Sequence, residues 1–77
     1  MYLSDAPSYK RLKILDINSG DDTKRKLLSM GIHPDDYCIK LSESNWGAIL
    51  IQNISNGATK LALGRVLANK IIVEYEH

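Results

Sequence analysis

A helix of only about two and a half turns fits between residues 20 and 34, and this restriction governs the rest of the fold. The acidic pair at positions 21 and 22 suits the positive end of a helix dipole, and Ser19 or Asp22 is predicted to cap the first turn. At the other end, Gly31 is placed to adopt a left-handed conformation, and Pro34 cannot continue a helix. A chain with one such short helix must build most of its structure from other elements.

The residues inside this helix divide into an apolar and a basic side. Leu27 and Met30 lie on one stripe with Thr23, and we expect that stripe to face the core. The three basic residues at positions 24–26 are predicted on the solvent-facing side of the helix. Ile32 is predicted to fold back onto Leu27, which is the apolar contact expected of a Schellman ending.

Runs of alternating or continuous apolar residues account for the rest of the chain and predict five strands. Asn56-Gly57 lies between two of these runs and predicts a hairpin, because both residues tolerate the positive φ of a type I′ turn. Residues 64–69 are too few for a full helix and predict one helical turn. The predicted strands span residues 9–17, 37–42, 48–54, 58–63 and 70–76. This order predicts a mainly β fold, a small closed or nearly closed five-stranded barrel, since closure removes exposed edges.

The composition fits one domain over residues 1–77. Ten Lys and Arg against nine Asp and Glu give a formal net charge of +1, which lacks the basic excess usual in nucleic-acid-binding domains. The single Cys38 cannot form an internal disulfide, which fits a reducing compartment. The N-terminus has no signal-peptide pattern, and the longest apolar run is far too short to span a membrane. We therefore expect a cytoplasmic protein without direct membrane insertion.

Residues that could support catalysis or hold a metal are few. Cys38 and His33 could form a thiol–imidazole pair, but a lone Cys in a predicted strand is more often inert packing. Asp35 and Asp36 lie between them in the sequence, yet adjacent aspartates in a turn are more often solvated than ligating. The C-terminal residues 74–77 alternate between the two faces of a strand. We expect no enzymatic activity, no cofactor and no specific metal site.

Two basic clusters define the alternative, a small nucleic-acid-binding barrel of the Sm-like kind. Lys10, Arg11 and Lys13 form the first cluster, and residues 24–26 form the second. Nearby aspartates dilute both clusters, and no aromatic pair is spaced as a platform for stacking bases. A solvated strand edge and helix face is the plainer interpretation.

Two motifs resemble those of the FeoA family. Residues 26–34, Lys-Leu-Leu-Ser-Met-Gly-Ile-His-Pro, are similar to its signature of a basic residue and Leu, then Leu or Met, Gly, an apolar residue and Pro. Residues 62–73 look like the family's ending: Ala-Leu, a basic residue, Ala, then Ile and Val two positions apart. Trp46-Gly47 lies where the family often has a Pro-x-Gly loop. The resemblance covers residues 9–75 and implies an SH3-like barrel.

The sequence departs from that family at several positions. Asp35 stands where the family usually has Gly after Pro, so we expect a type I rather than a type II turn at residues 33–36. Asn45 replaces the loop Pro, and Gly64 stands at a commonly basic position. The alternation of residues 37–42 is out of phase with the family's inward positions, which leaves open which face of that strand is buried.

The resemblance implies a partner rather than a reaction. FeoA proteins work with FeoB, a membrane ferrous-iron transporter with a cytosolic GTPase domain, so we expect a non-enzymatic accessory of ferrous iron uptake. The barrel is also similar to the C-terminal domain of iron regulators of the diphtheria-toxin-repressor type. The DNA-binding and metal-sensing domains of those regulators have no counterpart in this sequence.

The predicted partner-binding residues are Lys24, Arg25, Leu28 and Trp46. Leu28 sits one position off the inward stripe of the helix, and the other three add charge and a ring to exposed surface. Apolar residues ringed by polar ones are the usual composition of an interface. The sequence does not decide whether binding activates, inhibits or assembles the transporter, and it leaves weak self-association open.

Overall fold

The computed structural model describes residues 1–43, 47–55, 57 and 59–75, and for Glu43 it describes the backbone alone. A short 3-10 helix precedes the first strand, and five strands and two helices follow in the predicted order. The elements are the 3-10 helix Leu3–Asp5, β1 Arg11–Ile17, α1 Asp21–Ser29, β2 Tyr37–Glu43, β3 Ala48–Asn53, β4 Thr59–Gly64, α2 Arg65–Ala68 and β5 Ile71–Tyr75.

The five strands form one antiparallel sheet in the order β4-β3-β2-β1-β5. The predicted mainly β, five-stranded architecture is confirmed, and so is the helical turn before the last strand. Within the described part of the chain, no pairing joins β4 to β5, so the sheet is not closed. The two outer strands, β4 and β5, therefore remain edges of the sheet. They differ in which other segments of the chain contact them.

One face of the sheet carries the core. Strand β3 shows the pattern most plainly, because Ile49, Ile51 and Asn53 are buried while the residues between them are half-buried. On β1 the buried residues are Leu12, Ile14 and Ile17, a spacing of two and then three. The buried apolar residues form one cluster: Leu3, Ala6, Leu12, Ile14, Ile17, Leu27, Ile32, Cys38, Ile49, Ile51, Leu63, Ala68, Ile71 and Val73.

A bulge explains the uneven spacing on β1. Ile14 pairs with Val73 and Asp16 pairs with Ile72, so Leu15 is an extra residue with no partner position on β5. Leu15 is consequently exposed, although alternation alone would have left it ambiguous. The extra residue lets both Ile14 and Ile17 face the core.

Strand β2 buries the face that the sequence left open. Cys38 and Lys40 are fully buried, whereas Tyr37, Ile39 and Leu41 are half-buried on the other face. The register agrees, because Cys38 and Lys40 pair with buried residues of β3. A lysine thus occupies a core position in the middle of the sheet.

The ammonium group of Lys40 is held by backbone carbonyls. Its Nζ donates to the carbonyl oxygens of Ser4 and Ala6, each at 3.0 Å. Both carbonyls lie at the C-terminal end of the 3-10 helix, where carbonyls lack partners within a helix. The Tyr9 N–H donates to the carbonyl of Lys40 itself at 2.7 Å. This one residue therefore fastens the N-terminal segment to β2.

The N-terminal segment also covers the outer edge of β5. The Val73 N–H donates to the Met1 carbonyl at 2.7 Å, and Tyr2 forms a bridge with Ile72. Leu3 is fully buried in the core. Residues 1–8 show neither strand nor helix periodicity, so the sequence alone predicts no role for them.

Helix α1 begins without the predicted side-chain cap. Gly20 is the N-cap residue, and no side chain caps the first turn, so the prediction of Ser19 or Asp22 in that role is wrong. Ser19 lies one residue too early, and Asp22 already lies inside the helix. Asp21 and Asp22 do occupy the first turn, where they complement the helix dipole.

The C-terminal end of α1 is a Schellman motif, as predicted. The Ile32 N–H donates to the Leu27 carbonyl at 3.0 Å, and the Gly31 N–H donates to the Leu28 carbonyl at 3.1 Å. Gly31 has a φ of +92°, which glycine adopts without a Cβ penalty. Leu27 and Ile32 are both buried in the core cluster.

The turn at residues 33–36 is type II, so the prediction of type I is wrong. The Asp36 N–H donates to the His33 carbonyl at 3.2 Å, Pro34 holds the second position, and Asp35 has a φ of +73°. The turn is fixed from outside, because the Asp35 N–H donates to the Ile14 carbonyl at 2.7 Å and the Ile14 N–H donates to the Asp36 carbonyl at 2.8 Å. These bonds to β1 impose a backbone geometry that Asp tolerates better than most residues.

The predicted hairpin joins β3 to β4. Their pairing runs from Ala48 with Gly64 to Asn53 with Thr59, and Gly57 has a φ of +70°. Asn56 lies outside the described residues, and so does the predicted first residue of β4 at position 58.

We predict that Lys40→Met destabilises the protein by about 2–4 kcal/mol, because the variant keeps most of the buried chain but removes the charged donor. Urea denaturation measures the effect, and amide hydrogen exchange should show faster exchange in the N-terminal segment. Lys60→Met is the matched control on an exposed position of β4 and should stay within about 0.5 kcal/mol of the parent. Equal stability of the two variants would show that the buried contacts contribute nothing.

We predict opposite effects for two replacements of Asp35. Asp35→Gly should stabilise the protein by about 0.5–1 kcal/mol, because glycine adopts a positive φ freely, whereas Asp35→Ala should destabilise it by a similar amount. The ion pair of Asp35 with Lys13 is 3.9 Å long and exposed, so its loss in both variants matters little. Urea denaturation of the three proteins measures the order, and an alanine variant as stable as the glycine variant would contradict the explanation.

Candidate docking surface

Three of the four predicted partner-binding residues lie together on α1. Lys24 and Leu28 are four residues apart and Arg25 and Leu28 are three apart, so the helix places all three on neighbouring positions of its surface. The fourth, Trp46, lies outside the described residues.

The three helix residues differ in how much of each is available. Arg25 is exposed, whereas Leu28 is half-buried and packs against the core cluster. The Lys24 Nζ lies 3.9 Å from the Asp16 Oδ1, with both side chains well exposed, so this ion pair constrains the lysine only weakly. The shoulder of α1 therefore combines a partly accessible apolar side chain with two available positive charges.

The basic residues of β1 have local partners. The Arg11 guanidinium lies over the Tyr37 ring, 4.3 Å from its centroid, and the Lys13 Nζ lies 3.9 Å from Asp35. Each basic cluster therefore has a carboxylate beside it. Asp35 lies next to Lys13, and Asp16 of β1 lies next to Lys24 of α1.

The residues considered for metal binding or catalysis do not converge. His33 and Asp35 are exposed, whereas Cys38 is fully buried and faces the core. The His33 Nδ1 lies 3.4 Å from the Asp36 Oδ2, and the Asn53 Nδ2 lies 3.5 Å from the same oxygen. In the described ranges, no three His, Cys, Asp or Glu side chains gather where they could hold one metal ion. His77 and its neighbour at position 76 lie outside these ranges.

The thiol of Cys38 is unreactive by its surroundings. Burial disfavours the charged thiolate, and the nearby Asp36 carboxylate adds a smaller repulsion, so the pKa of Cys38 rises from 9.0 to about 11. A nucleophilic cysteine needs the opposite environment, with partial exposure and positive charge nearby. The prediction that Cys38 is packing within a strand agrees with this geometry.

An apolar cavity of about 140 Å³ lies between the end of α1 and strands β2, β3 and β4. Cys38 and Ile51 are among its buried lining residues, whereas Thr59 is exposed, so the cavity opens beside β4. The remaining lining residues are Ile14, Met30, Gly31, Ile32, Asn53 and Leu61. The sequence does not predict this cavity, because the cavity depends on how the end of α1 packs on the sheet.

Asn53 is a polar residue in the lining of this cavity, and its side-chain amide is hydrogen-bonded. Its Nδ2 donates to the Gly31 carbonyl at 2.8 Å and so ties the end of α1 to β3. Asparagine in a run of apolar residues was the available signal, since a buried amide needs partners.

No helix in the described part of the chain is long and apolar enough to cross a membrane.

The chain is similar in sequence and in structure to FeoA proteins. A model of the FeoA domain matches residues 1–75. No curated protein matches the chain. A crystal structure of an iron uptake regulatory protein (FeoA) is 27% identical, with a TM-score of 0.82, and covers 96% of this chain and 93% of that one.

Two further structures are similar in fold. FeoA of Stenotrophomonas maltophilia, complexed with zinc and described as a procaryotic SH3 domain protein, is 23% identical with a TM-score of 0.69, over 96% of this chain and 89% of that one. A manganese-dependent transcriptional repressor with manganese is 20% identical with a TM-score of 0.87, over 99% of this chain but 36% of that one. The predicted SH3-like fold is confirmed, as is the likeness to part of a metal-dependent repressor.

We predict that stability falls as the pH rises from about 9 to about 11. In this window the unfolded thiol loses its proton while the folded thiol keeps it, so each increment of pH favours the unfolded state. The pKa difference corresponds to about 2–3 kcal/mol. Urea denaturation of the parent and of Cys38→Ala measures this effect, because lysines and tyrosines titrate in both proteins. A gap between the two that stays constant from pH 8 to pH 11 would contradict the prediction.

Proposed function

Because the chain belongs to the FeoA domain family, we propose that it is a non-enzymatic cytosolic accessory of ferrous iron uptake that binds the cytosolic part of a FeoB-type transporter. The observation that carries the proposal is the family match over residues 1–75. A similar protein of nearly the same length is named an iron uptake regulatory protein, which supports the same role. We take residues 1–77 as one domain that acts as a unit.

The geometry supports binding rather than catalysis. The cavity is apolar, and its one thiol is buried and has a raised pKa, so it offers no group suited to acid–base or nucleophilic chemistry. A small domain of this kind acts through its outer surface. The shoulder of α1, formed by Lys24, Arg25 and Leu28, offers the apolar centre and charged rim of a protein interface. Trp46 is kept as the fourth candidate, since Trp is enriched at interface hot spots.

We predict that Leu28→Ala weakens binding to the transporter's cytosolic domain by about 1–3 kcal/mol, or roughly fivefold to hundredfold. Arg25→Glu should weaken it through charge reversal, and Trp46→Ala tests the fourth residue. Calorimetry with the purified cytosolic domain measures the affinity, and thermal melts establish that each variant folds. Val66→Ala, on an α2 position that is 72% exposed, is the matched apolar control and should bind normally.

Two outcomes would count against the proposal in different ways. If the parent protein does not bind the cytosolic domain, the partner is wrong. If the parent binds and the folded Leu28, Arg25 and Trp46 variants bind equally well, the partner stands and another surface docks. Tight binding to RNA that collapses with salt would instead favour the nucleic-acid alternative.

A further inference from the structure

The two edges of the sheet differ in what covers them. The outer edge of β5 is covered by the chain itself, because the Val73 N–H donates to the Met1 carbonyl and Tyr2 bridges Ile72. At the other edge, β4 pairs with β3 alone among the described strands. Every second residue of an edge strand turns its backbone N–H and C=O away from its neighbour. The outer side of β4 is therefore a row of backbone groups of the kind that an extended chain pairs with.

The side chains of β4 that lie on the core face of the sheet border the apolar cavity. Leu61 pairs with Ile51 and Thr59 pairs with Asn53, so all four residues lie on the core face of the sheet and line the cavity together. A strand placed next to β4 would set its own inward side chain beside Leu61 and Thr59. The cavity volume, about 140 Å³, is close to that of apolar cavities that hold a small hydrocarbon guest such as benzene. One aliphatic side chain fits this space.

The solvent face of β4 carries a positive charge. Lys60 is exposed and pairs with Gln52 of β3, so its ammonium lies on the solvent face. Side chains directly across from one another on neighbouring strands interact, and opposite charges are favourable there. An acidic residue on the solvent face of an added strand would meet Lys60.

We infer that β4 is a site of strand addition for an extended segment of a partner protein, in which aliphatic side chains facing the cavity alternate with acidic side chains facing solvent. Backbone hydrogen bonds to β4 hold the segment, the cavity takes one Val, Ile or Leu side chain, and Lys60 selects the charge. The end of α1 lines the cavity, but Lys24, Arg25 and Leu28 are not among the lining residues, so this site and the shoulder of α1 share no residue. The inference holds whichever protein supplies the segment.

A synthetic seven-residue peptide of alternating glutamate and valine, blocked at both ends, is the probe. Titration into the isotope-labelled protein should shift the amide resonances of Thr59–Gly64 and of the cavity residues. Two N-methylated forms of the peptide test the geometry, one methylated at every valine nitrogen and the other at every glutamate nitrogen. In an added strand only one of these two sets of N–H groups faces β4, so one N-methylated form should bind like the parent peptide and the other about tenfold or more weakly.

Variants of the protein test the charge and provide the control. Lys60→Glu should weaken the acidic peptide about three- to tenfold and should favour a peptide of alternating lysine and valine. Lys10→Glu makes the same charge change on an exposed residue before β1 and should leave both affinities unchanged. Equal binding of the two N-methylated forms, shifts centred on α1, or no binding at millimolar peptide would overturn the inference. Self-association of the free protein through β4 would also overturn it, because a second copy would then be the occupant.

Discussion

The contact between the Lys40 ammonium and the carbonyls of Ser4 and Ala6 holds together parts of the chain that are far apart in sequence. Burying a charge is costly unless hydrogen bonds replace the lost water, and here the end of the 3-10 helix provides them. Once this helix is fastened to β2, Leu3 can fill the core, and Met1 and Tyr2 reach the edge of β5. The arrangement makes the first residues of the chain part of the sheet.

The sequence predicts most of the elements, because their signals are local. The end of α1 follows from Gly31 and Pro34, and the hairpin between β3 and β4 follows from its turn residues. The errors arise where distant contacts decide. The turn at Asp35 is type II because backbone bonds to Ile14 hold it, and no local preference reveals a partner some twenty residues earlier. The inward position of Lys40 likewise depends on a segment that shows no periodicity of its own.

The candidate sites divide in the same way. The cluster of Lys24, Arg25 and Leu28 could be found from the sequence, because helical spacing alone brings the three residues together. The cavity beside Leu61 could not, since it forms only where the end of α1, β3 and β4 meet. Local spacing therefore reveals one surface of this domain, and the packing of separate elements creates the other.

The seclusion of Cys38 has a chemical consequence for a protein whose family is linked to ferrous iron. Oxidation of a cysteine, and its capture of a soft metal, both begin with an accessible thiolate. A thiol that stays protonated and has no contact with solvent offers neither route. The Cys38 side chain is therefore protected from oxidation, and from capturing a soft metal, for as long as the domain stays folded.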